Sequence, residues 1–555
     1  MMEPFERIDI QELPLRVPYF RHQVEDFLGS NGLRLEEVDL YMAVLDDEGR
    51  ILAGGGLYRD IIKCIAVSSA ARSLGLSVPL ISRLISCASE RGFTNVKVFT
   101  KPENRAVFES LGFKLLAEAP KAILMENGRG LEDYCRYLGG HRAPGIIVMN
   151  ANPFTLGHRY LVEQASVILS GAHRAESKSL TIIPVRENRS LFPYSERMAM
   201  IRQGSEDWAD VVEGSDYQIS AATFPTYFLK DLSEAAETQM RLDIDLFGRN
   251  IAPALGATMR FVGSEPADPL TARYNALMKE LLPAYGVQVV EVPRLRDTEG
   301  AVSASRVRAH LAAGHYAAAS ALTPPSTYPY LLASLAERAL RMELDTLLKP
   351  GLVGPDGPGA HQDMDYDIMR KGIGAIRPFF PQMALAASPE ELRELGIDAE
   401  QAMLAATGGV NTHRGAIFAL GLALYRHPFG ETAAALDDGS SIRRDPAVKG
   451  AMQMARDGYR DLLEDWLPYF RSVIGQPFCL QRTLLRIMST LDDTCILHRV
   501  GQDRAQEVKE EAKELLEHFS EEKLKEMNAR YAVEGISPGG AADMLALTIF
   551  MDSIY

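Results

Sequence analysis

Cysteine is scarce in this chain, and a long apolar run is missing. The 555 residues include five cysteines, and no two of them form a CxxC pair. This scatter excludes a disulfide framework and a zinc knuckle as the basis of the fold. The stretch nearest to a membrane segment, Ala416 to Tyr425, falls far short of the ~20 residues that a spanning helix needs. We therefore predict no membrane partner.

Basic residues are also fewer than acidic ones. The chain has 59 lysines and arginines against 74 aspartates and glutamates, which gives a net charge of -15. This balance argues against a nucleic-acid-binding surface spread over the molecule, so any phosphate site must be local. The N-terminal segment lacks the basic-then-apolar order of a secretory signal, and we predict a cytoplasmic location.

The hydrophobic pattern divides the chain into three segments. Several domains are also expected because a single hydrophobic core no longer suffices for a chain of this length. Residues 1–127 predict a mixed α/β domain. Residues 140–322 alternate strands with helices, which is typical of a parallel, Rossmann-like sheet with crossovers. Residues 330–555 have helix periodicity and predict an all-α domain. Between the last two, Thr323 to Pro329 contains three prolines and predicts a linker that cannot continue a helix.

Individual elements follow from the same patterns. The first segment predicts strands over 40–45, 51–58, 61–67 and 96–100 and helices over 76–91 and 105–111. The second predicts strands over 145–149, 179–185, 259–262 and 287–292. The third predicts helices that include 331–344, 402–406, 415–425 and 541–551.

The second segment contains the sequence NPFTLGH at residues 152–158, which begins with Asn152 and stands between a strand and a helix. A new helix presents unsatisfied N–H groups, and Gly157 permits close approach of a phosphate. His158 can donate a hydrogen bond to the α-phosphate oxygens as charge develops there, and Thr155 offers a hydroxyl. This turn predicts an ATP phosphate site.

A second motif, VSASRVR at residues 302–308, is predicted to complete that site. Ser303 stands where a helix N-cap is expected, and Ser305 follows it. Arg306 lies one turn into the helix and would neutralise the departing pyrophosphate.

The two motifs resemble those of the nucleotidyltransferase superfamily, HxGH and ISxTxxR, with Thr155 at the first histidine and Ser305 at the threonine. With VGSEP at 262–266 and the stretch 271–275, residues 1–322 resemble citrate lyase ligase. The resemblance implies that acetate and ATP form acetyl-AMP with release of pyrophosphate. The acetyl group then passes to the thiol cofactor on the acyl carrier protein of citrate lyase. For Glu265, a role in this site and a solvated loop position are equally supported.

The first segment carries RSLGLS at 72–77 and NRAVFESLGFK at 104–114, which resemble the GNAT acetyltransferases. In that family the loop holds the coenzyme A pyrophosphate on backbone N–H groups, which implies a cofactor contact at Arg72 and Gly75. Ser77 replaces the last small residue of the family loop. The domain could bind the pantetheine arm of the carrier cofactor, or it could be a docking module without catalysis.

The third segment begins with a stretch that concentrates charge, LDTLLKPGLVGPDGPGAHQDMD at 344–365. Its histidine, His361, and two of its carboxylates, Asp363 and Asp365, suit a Mg²⁺ ion that holds a triphosphate. Lys349 can contact the same phosphates.

Two further blocks have matching chemistry. TGGVNTHRG at 407–415 predicts a phosphate-receiving helix start with Asn411 and His413. STLDDTCILHRVG at 489–501 offers Asp492 and Asp493, which could bind metal or stabilise positive charge at a sugar carbon.

Together with SPGGAADMLALTIF at 537–550, these four blocks resemble triphosphoribosyl-dephospho-coenzyme A synthase. One departure is Leu348, where the family usually has proline. The resemblance implies that the 2′-hydroxyl of dephospho-coenzyme A attacks the ribose C1 of ATP and expels adenine. Displacement at an anomeric carbon passes through an oxocarbenium-like state, which nearby carboxylates stabilise.

The sequence thus predicts a bifunctional enzyme of citrate lyase maturation whose substrates are acetate, ATP, dephospho-coenzyme A and a carrier protein. Two alternatives stay open. The second segment could instead adenylylate phosphopantetheine, or the first two segments could form a carrier-protein docking platform without catalysis.

Overall fold

The computed structural model describes residues 8–172, 179–186, 190–218, 232–265, 268–426, 428–436 and 451–555. The chain divides into two compact units. The first unit contains residues 1–151 and 157–301, and the second contains residues 152–156 and 302–555. The chain therefore enters the second unit briefly inside the NPFTLGH motif. Among the helices of the described residues, none combines the length and the apolar character needed to cross a membrane.

The first unit begins with a seven-stranded mixed sheet in the order β1-β2-β3-β4-β5-β7-β6. Neighbouring strands are antiparallel, except that β4 and β5 run parallel. The four strands predicted from the sequence are confirmed with the same bounds. The strands are β1 Gln11–Glu12, β2 Leu40–Leu45, β3 Ile51–Tyr58, β4 Ile61–Val67, β5 Val96–Thr100, β6 Lys114–Ala119 and β7 Ala122–Asn127.

Helices cover this sheet. The helix Ser77–Glu90 buries Leu80, Leu84 and Ala88, which recur every fourth residue and form one apolar stripe. It lies close above the sheet at Gly55, where a Cβ atom would come 3.0 Å from Leu84 Cδ1. The helical segments of this part are Pro18–Ser30, Ser69–Leu74 (3₁₀), Ser77–Glu90, Pro102–Asn104 (3₁₀), Arg105–Ser110 and Gly130–Leu138.

The second sheet of the first unit has five strands, all parallel, in the order β10-β9-β8-β11-β12. The prediction of a parallel sheet with crossovers is therefore confirmed. Strand β8 is central, and the chain adds β9 and β10 on one side before it crosses to β11 and β12 on the other. Ligands of such sheets bind at the carboxyl ends of the strands beside this switch point. The strands are β8 Gly145–Met149, β9 Leu180–Pro184, β10 Asp210–Val211, β11 Met259–Gly263 and β12 Gln288–Val292.

Helices alternate with these strands along the chain. A π-helical turn, Phe247–Ile251, joins two of them. A short hairpin, β13 Arg296–Asp297 with β14 Gly300–Ala301, ends the unit. The helical segments are Leu156–Ala172, Tyr194–Ser205, Leu232–Leu246, Ala252–Leu255, Pro269–Leu281 and Leu282–Tyr285 (3₁₀).

Within the described residues, the regular elements of the second unit are helices, apart from an isolated bridge between Gly354 and Gly357. The helix Gly539–Ile554 is apolar on nearly all sides and almost fully buried, so it forms the centre of the unit. The all-α prediction is confirmed. The helical segments are Ala304–Ala312, Tyr316–Ser320, Pro325–Thr327 (3₁₀), Tyr328–Leu344, Tyr366–Ile376, Arg377–Phe379 (3₁₀), Phe380–Leu385, Pro389–Ala406, Arg414–Tyr425, Phe429–Leu436, Ala451–Arg456, Leu462–Trp466 (π), Leu467–Val473, Cys479–Thr490, Thr494–Glu517 (kinked at Gly501), Glu521–Glu534 and Gly539–Ile554.

The segment 323–329, which the sequence predicts as a linker, is packed in the structure. Thr323 and Thr327 are buried, and Thr327 Oγ1 donates to the carbonyl of Phe154 at 2.8 Å. A helix begins inside this segment at Tyr328, because Pro329 falls in the first turn, where a missing N–H group costs nothing. Helices before the segment also belong to the second unit, so the border between compact units does not coincide with the predicted one.

Candidate functional site

In the first unit, a buried arginine fixes the carboxyl edge of the parallel sheet. Arg197 is fully buried, and its Nη1 donates to Asn150 O at 2.8 Å, Asn150 Oδ1 at 2.7 Å and Val185 O at 2.8 Å. These acceptors follow β8 and β9 directly. The guanidinium group therefore holds the ends of two central strands in a fixed relation, at the edge where ligands of such sheets bind.

The described part of the VGSEP motif binds a second arginine at the same edge. After β11, Ser264 Oγ accepts from Arg294 N at 3.1 Å, and Ser264 O accepts from Arg294 Nε at 2.8 Å. Glu265 forms an ion pair with Arg294, and its side chain is only 9% exposed. The alternative of a solvated loop position for Glu265 is therefore wrong. Pro266 lies outside the described residues.

His158 lies in the first turn of the helix Leu156–Ala172 and is held in its neutral form. Burial, followed by the positive charge of Arg294, lowers the pKa of His158 to about 4. A neutral imidazole carries one N–H donor, so near pH 7 this side chain can donate one hydrogen bond without being a cation. Gly157 precedes it in the same turn.

The remaining residues of the predicted ATP site belong to the second unit. Arg308 Nη1 donates to the carbonyl of Asn152 at 2.6 Å, which ties the start of the NPFTLGH motif to the helix Ala304–Ala312. Thr155 is 1% exposed. That His158 and this group act in one site stays a prediction.

The predicted N-cap at Ser303 is confirmed. Its side chain accepts from Arg306 N at 3.3 Å, and its hydroxyl lies 3.0 Å from that of Ser305. Arg308 was not among the residues predicted from the sequence. Counted from Ser303, the pattern ISxTxxR places its arginine at Arg308 and not at Arg306, and Arg308 makes the contact with Asn152.

The GNAT-like motifs of the first unit line one cavity. Strands β4 and β5 pair only near their starts, at Ile61 and Ile62, and their carboxyl ends border a cavity of about 460 Å³. Arg72 and Ser77 line this cavity. Gly75 lies between them and has a φ of 66°, in the left-handed region where glycine is favoured.

In the second unit, Lys349 forms a buried ion pair that the sequence did not predict. Its Nζ donates to Glu343 Oε1 at 2.5 Å, and the two side chains are 1% and 7% exposed. Leu348, which precedes it, has a φ of 55° and donates its N–H to Asp356 Oδ2 at 2.9 Å. Proline could do neither, so the departure from the family sequence changes the turn that positions Lys349.

The two neighbouring aspartates of the third block have different environments. Asp493 is buried and caps two helices, because it accepts from Cys495 N and from Ala541 N, both at 2.8 Å. Burial raises the pKa of Asp493 although these hydrogen bonds oppose the shift. Asp492 is 33% exposed and forms an ion pair with Lys509.

His413 is a buried, neutral residue at the start of the helix Arg414–Tyr425. Its Nδ1 lies 2.8 Å from Thr412 Oγ1. Burial, followed by the charge of Lys349, lowers the pKa of His413 to about 3. Asn411 is exposed, and its Oδ1 accepts from the backbone N–H of Arg414 at 3.2 Å.

Asp543, from the fourth block, reaches the same helix start. It is partly buried, and a Cβ atom on Gly415 would lie 1.9 Å from Asp543 Oδ2. Burial and the negative charges of Glu343 and Asp493 raise its pKa well above the ordinary value. The four sequence blocks therefore converge on one group, which we call the buried charged cluster: Glu343, Lys349, His413, Asp493 and Asp543.

The predicted metal ligands are not gathered into one set. His361 contacts Ser537 Oγ through Nε2 at 2.8 Å and the guanidinium of Arg499 through Nδ1 at 3.2 Å. Asp363 lies 3.9 Å from the ring and is 69% exposed, while Asp365 caps the helix Tyr366–Ile376. Within the described residues no group of three or more potential ligands is placed to hold a metal. A nearby guanidinium also opposes a divalent cation, so these three residues do not fit Mg²⁺ as a set.

Glu343 and Asp543 were missed although both stand inside or beside the recognised blocks. A signal was available, because each is an acidic residue in a helix whose neighbouring positions are apolar. Such a carboxyl group is buried by its neighbours and needs a partner.

Family models match most of the chain. Residues 144–331 match the model described as "Citrate lyase ligase C-terminal domain". Residues 329–438 and 427–555 match the model described as "ATP:dephospho-CoA triphosphoribosyl transferase".

Individual relatives are similar to one or the other part. A "[Citrate [pro-3S]-lyase] ligase" of Klebsiella pneumoniae is 42% identical over 57% of this chain and 94% of that protein. A protein of the same name from Escherichia coli K12 is 40% identical over 56% of this chain and 89% of its own length. A "Probable 2-(5''-triphosphoribosyl)-3'-dephosphocoenzyme-A synthase" of Stutzerimonas stutzeri is 37% identical over 40% of this chain and 91% of its own length.

One solved structure, an acyl-CoA N-acyltransferase from Pseudomonas aeruginosa, matches 22% of this chain and 100% of its own at 18% identity. The TM-score is 0.19, which is too low to argue a shared fold.

Proposed function

Because the chain belongs to the [citrate [pro-3S]-lyase] ligase family in its first part and to the triphosphoribosyl-dephospho-coenzyme A synthase family from about residue 329, we propose that it is a bifunctional enzyme of citrate lyase maturation. One activity acetylates the thiol cofactor of the lyase carrier protein with acetate and ATP. The other makes the precursor of that cofactor from ATP and dephospho-coenzyme A, with release of adenine. The substrate of the second reaction and the cofactor used in the first share the same thiol-bearing arm.

The observation that carries the second activity is the buried charged cluster. Four blocks far apart in sequence supply its members. A helical fold does not need a lysine, a histidine and three carboxyl groups close together in its interior, because burying such groups is costly. We propose that Lys349 and His413 serve the triphosphate of ATP. Asp493 is a helix cap, so Asp492, with its partly exposed carboxylate, is the better candidate to stabilise positive charge at the ribose carbon.

For the ligase activity, the carboxylate of acetate is itself the nucleophile, so the protein has to position ATP and stabilise charge. The neutral His158 serves as a hydrogen-bond donor to the α-phosphate. Arg308 is the cation that the motif pattern indicates for the pyrophosphate, with Arg306 as the residue first predicted from the sequence.

The cavity lined by Arg72 and Ser77 is proposed to take the pantetheine arm of the carrier cofactor. Its size supports this role, since a volume of about 460 Å³ falls within the usual range for small-molecule sites. The alternative is a docking module that holds the carrier protein without contacting its thiol.

Magnesium is proposed only as the ion that accompanies ATP, and it is not assigned to His361, Asp363 and Asp365 as a set of ligands. When bound, it would neutralise phosphate charge. We further propose a cytoplasmic location, where both ATP and the coenzyme A precursor are made.

Two assays test the proposal. Mass spectrometry after incubation with ATP and dephospho-coenzyme A should detect the triphosphoribosyl adduct and free adenine. ATP–pyrophosphate exchange should depend on acetate and not on phosphopantetheine. Exchange that needs phosphopantetheine would instead establish an adenylyltransferase, and binding of the carrier protein with no exchange at all would favour the docking platform.

A further inference from the structure

Arg499 is an exposed arginine of the second unit whose guanidinium group is held in place from one side. Its Nη2 lies 3.2 Å from His361 Nδ1, and its Nη1 donates to the carbonyl of Ala360 at 3.4 Å. Among the described residues, no aspartate or glutamate forms an ion pair with it. An exposed arginine ordinarily keeps its rotamer freedom, so a tethered one without an ionic partner is a fixed, uncompensated positive charge.

The contact with Arg499 determines the tautomer of His361. A guanidinium group has donors only, so Nδ1 of the ring must accept this hydrogen bond. The ring hydrogen is then on Nε2, which donates to Ser537 Oγ at 2.8 Å. Ser537 is 2% exposed, and the His361 side chain is 11% exposed. The buried serine therefore orients a neutral imidazole, and the imidazole orients the exposed guanidinium group.

The backbone around His361 is built to bring it against Ser537. Gly351 has a φ of 71°, and a Cβ atom there would lie 1.9 Å from the carbonyl oxygen of Ile536. Gly359 has a φ of 59°, and a Cβ atom there would lie 2.5 Å from the carbonyl oxygen of Gly351. Only glycine permits these approaches, so the glycine-rich turn before His361 packs directly against the residue before Ser537.

Three of the four sequence blocks meet at this point. His361 comes from the first block, Arg499 from the third and Ser537 from the fourth. The guanidinium group repels a divalent cation and attracts an anion. Asp363, the carboxylate nearest to the ring, lies 3.9 Å from Nδ1 and is 69% exposed, so water screens its charge. The arrangement therefore suits an anionic group.

We propose that Arg499, held by His361 and Ser537, binds a phosphoryl group of a substrate in the adenine-releasing reaction. This inference rests on the proposed synthase activity and extends it. Both substrates carry such groups, as the triphosphate of ATP and as the diphosphate of dephospho-coenzyme A. The N–H groups that remain on the guanidinium form a fork that matches two phosphate oxygens. Arg499 contacts the substrate, whereas His361 and Ser537 are positioning residues.

The test measures adenine release by the full-length protein while ATP and dephospho-coenzyme A are varied in turn. In Arg499→Met, we expect KM for one substrate to rise by about 10- to 100-fold, because hydrogen bonds between charged groups are strong, with kcat within about threefold. A rise confined to ATP identifies the triphosphate, and one confined to dephospho-coenzyme A identifies the diphosphate. Titration calorimetry with each substrate alone should show the same weakening.

Two variants of His361 test its positioning role. His361→Phe keeps a ring but removes both hydrogen bonds, so the same KM should rise by about 3- to 10-fold. His361→Gln should recover most of this loss, because an amide can accept from Arg499 and donate to Ser537 as the neutral ring does. A glutamine variant as impaired as the phenylalanine variant would overturn the positioning role.

Arg460→Met is the matched control, because Arg460 is also exposed in the second unit but lies 3.8 Å from a carboxylate of Glu464. It removes the same charge and should leave both KM values within about twofold of the wild type. Wild-type KM values in Arg499→Met overturn the inference, as does an equal rise of both. If Arg499→Met does not fold, Arg499→Gln decides in the same way. A wild-type protein that releases no adenine contradicts the proposed function itself.

Discussion

Removing the charge of Lys349 should destabilise the second unit strongly, because it would leave Glu343 buried without a partner. Two unit charges ~4 Å apart attract by about 4 kcal/mol at an effective dielectric constant of 20. Breaking a buried ion pair on one side typically costs about 3–5 kcal/mol. The pair is 1% and 7% exposed, so we expect the free energy of unfolding to fall by an amount in this range for Lys349→Met.

The chain provides a reporter for this unit. It has two tryptophans, Trp208 in the first unit and Trp466 in the second, where Trp466 is 1% exposed. In a Trp208→Phe background, fluorescence during urea unfolding follows the second unit alone. This matters because a protein of two compact units need not unfold in one step.

The control variant carries Lys349→Met together with Glu343→Gln. Removing both charges should restore most of the lost stability, since no unpaired charge stays buried. Adenine release should remain low in both variants, while acetate-dependent pyrophosphate release stays near the wild-type rate. A free energy of unfolding of Lys349→Met within about 1 kcal/mol of the wild type would refute this prediction. A double variant no more stable than the single one would also refute it.

Three further predictions concern the histidine, the arginines and the unit border. His413 takes up a proton near pH 6.5 when unfolded but only near pH 3 when folded, so it reduces stability as the pH falls between these values. Relative to the wild type, the free energy of unfolding of His413→Gln should rise by about 1.4 kcal/mol per pH unit on acidification from pH 6 to 4, measured by Trp466 fluorescence. A difference that stays constant with pH would contradict this. Arg308→Ala should slow acetate-dependent ATP–pyrophosphate exchange by about 10²-fold and more than Arg306→Ala does, and the reverse order would restore the first assignment. A fragment that begins at residue 302 should be more stable in urea than one that begins at residue 330, which loses two packed helices; equal stability would favour the predicted linker.

The elements around residues 323–329 were predicted well, whereas the packing of this segment was not. Local sequence does not show whether a proline ends one helix or opens the next. That choice depends on burial, here of Thr327 against the carbonyl of Phe154. Residues so far apart in sequence meet only through the tertiary fold.

By itself the sequence predicted four of the seven strands of the first sheet, the parallel and all-α character of the later parts, and the two families. These follow from local periodicity and from short motifs, which are properties of neighbouring residues. It also placed Lys349, His413 and Asp493 in functional blocks.

Only the tertiary structure decided which charged groups meet and in what protonation state. Glu343, His413 and Asp543 come from three separate helical regions, and no spacing rule brings them together. The raised pKa of Asp543 and the lowered pKa of His413 depend on burial and on charges contributed by other elements. Desolvation is a property of the folded interior, so these shifts could be recognised only in the folded chain.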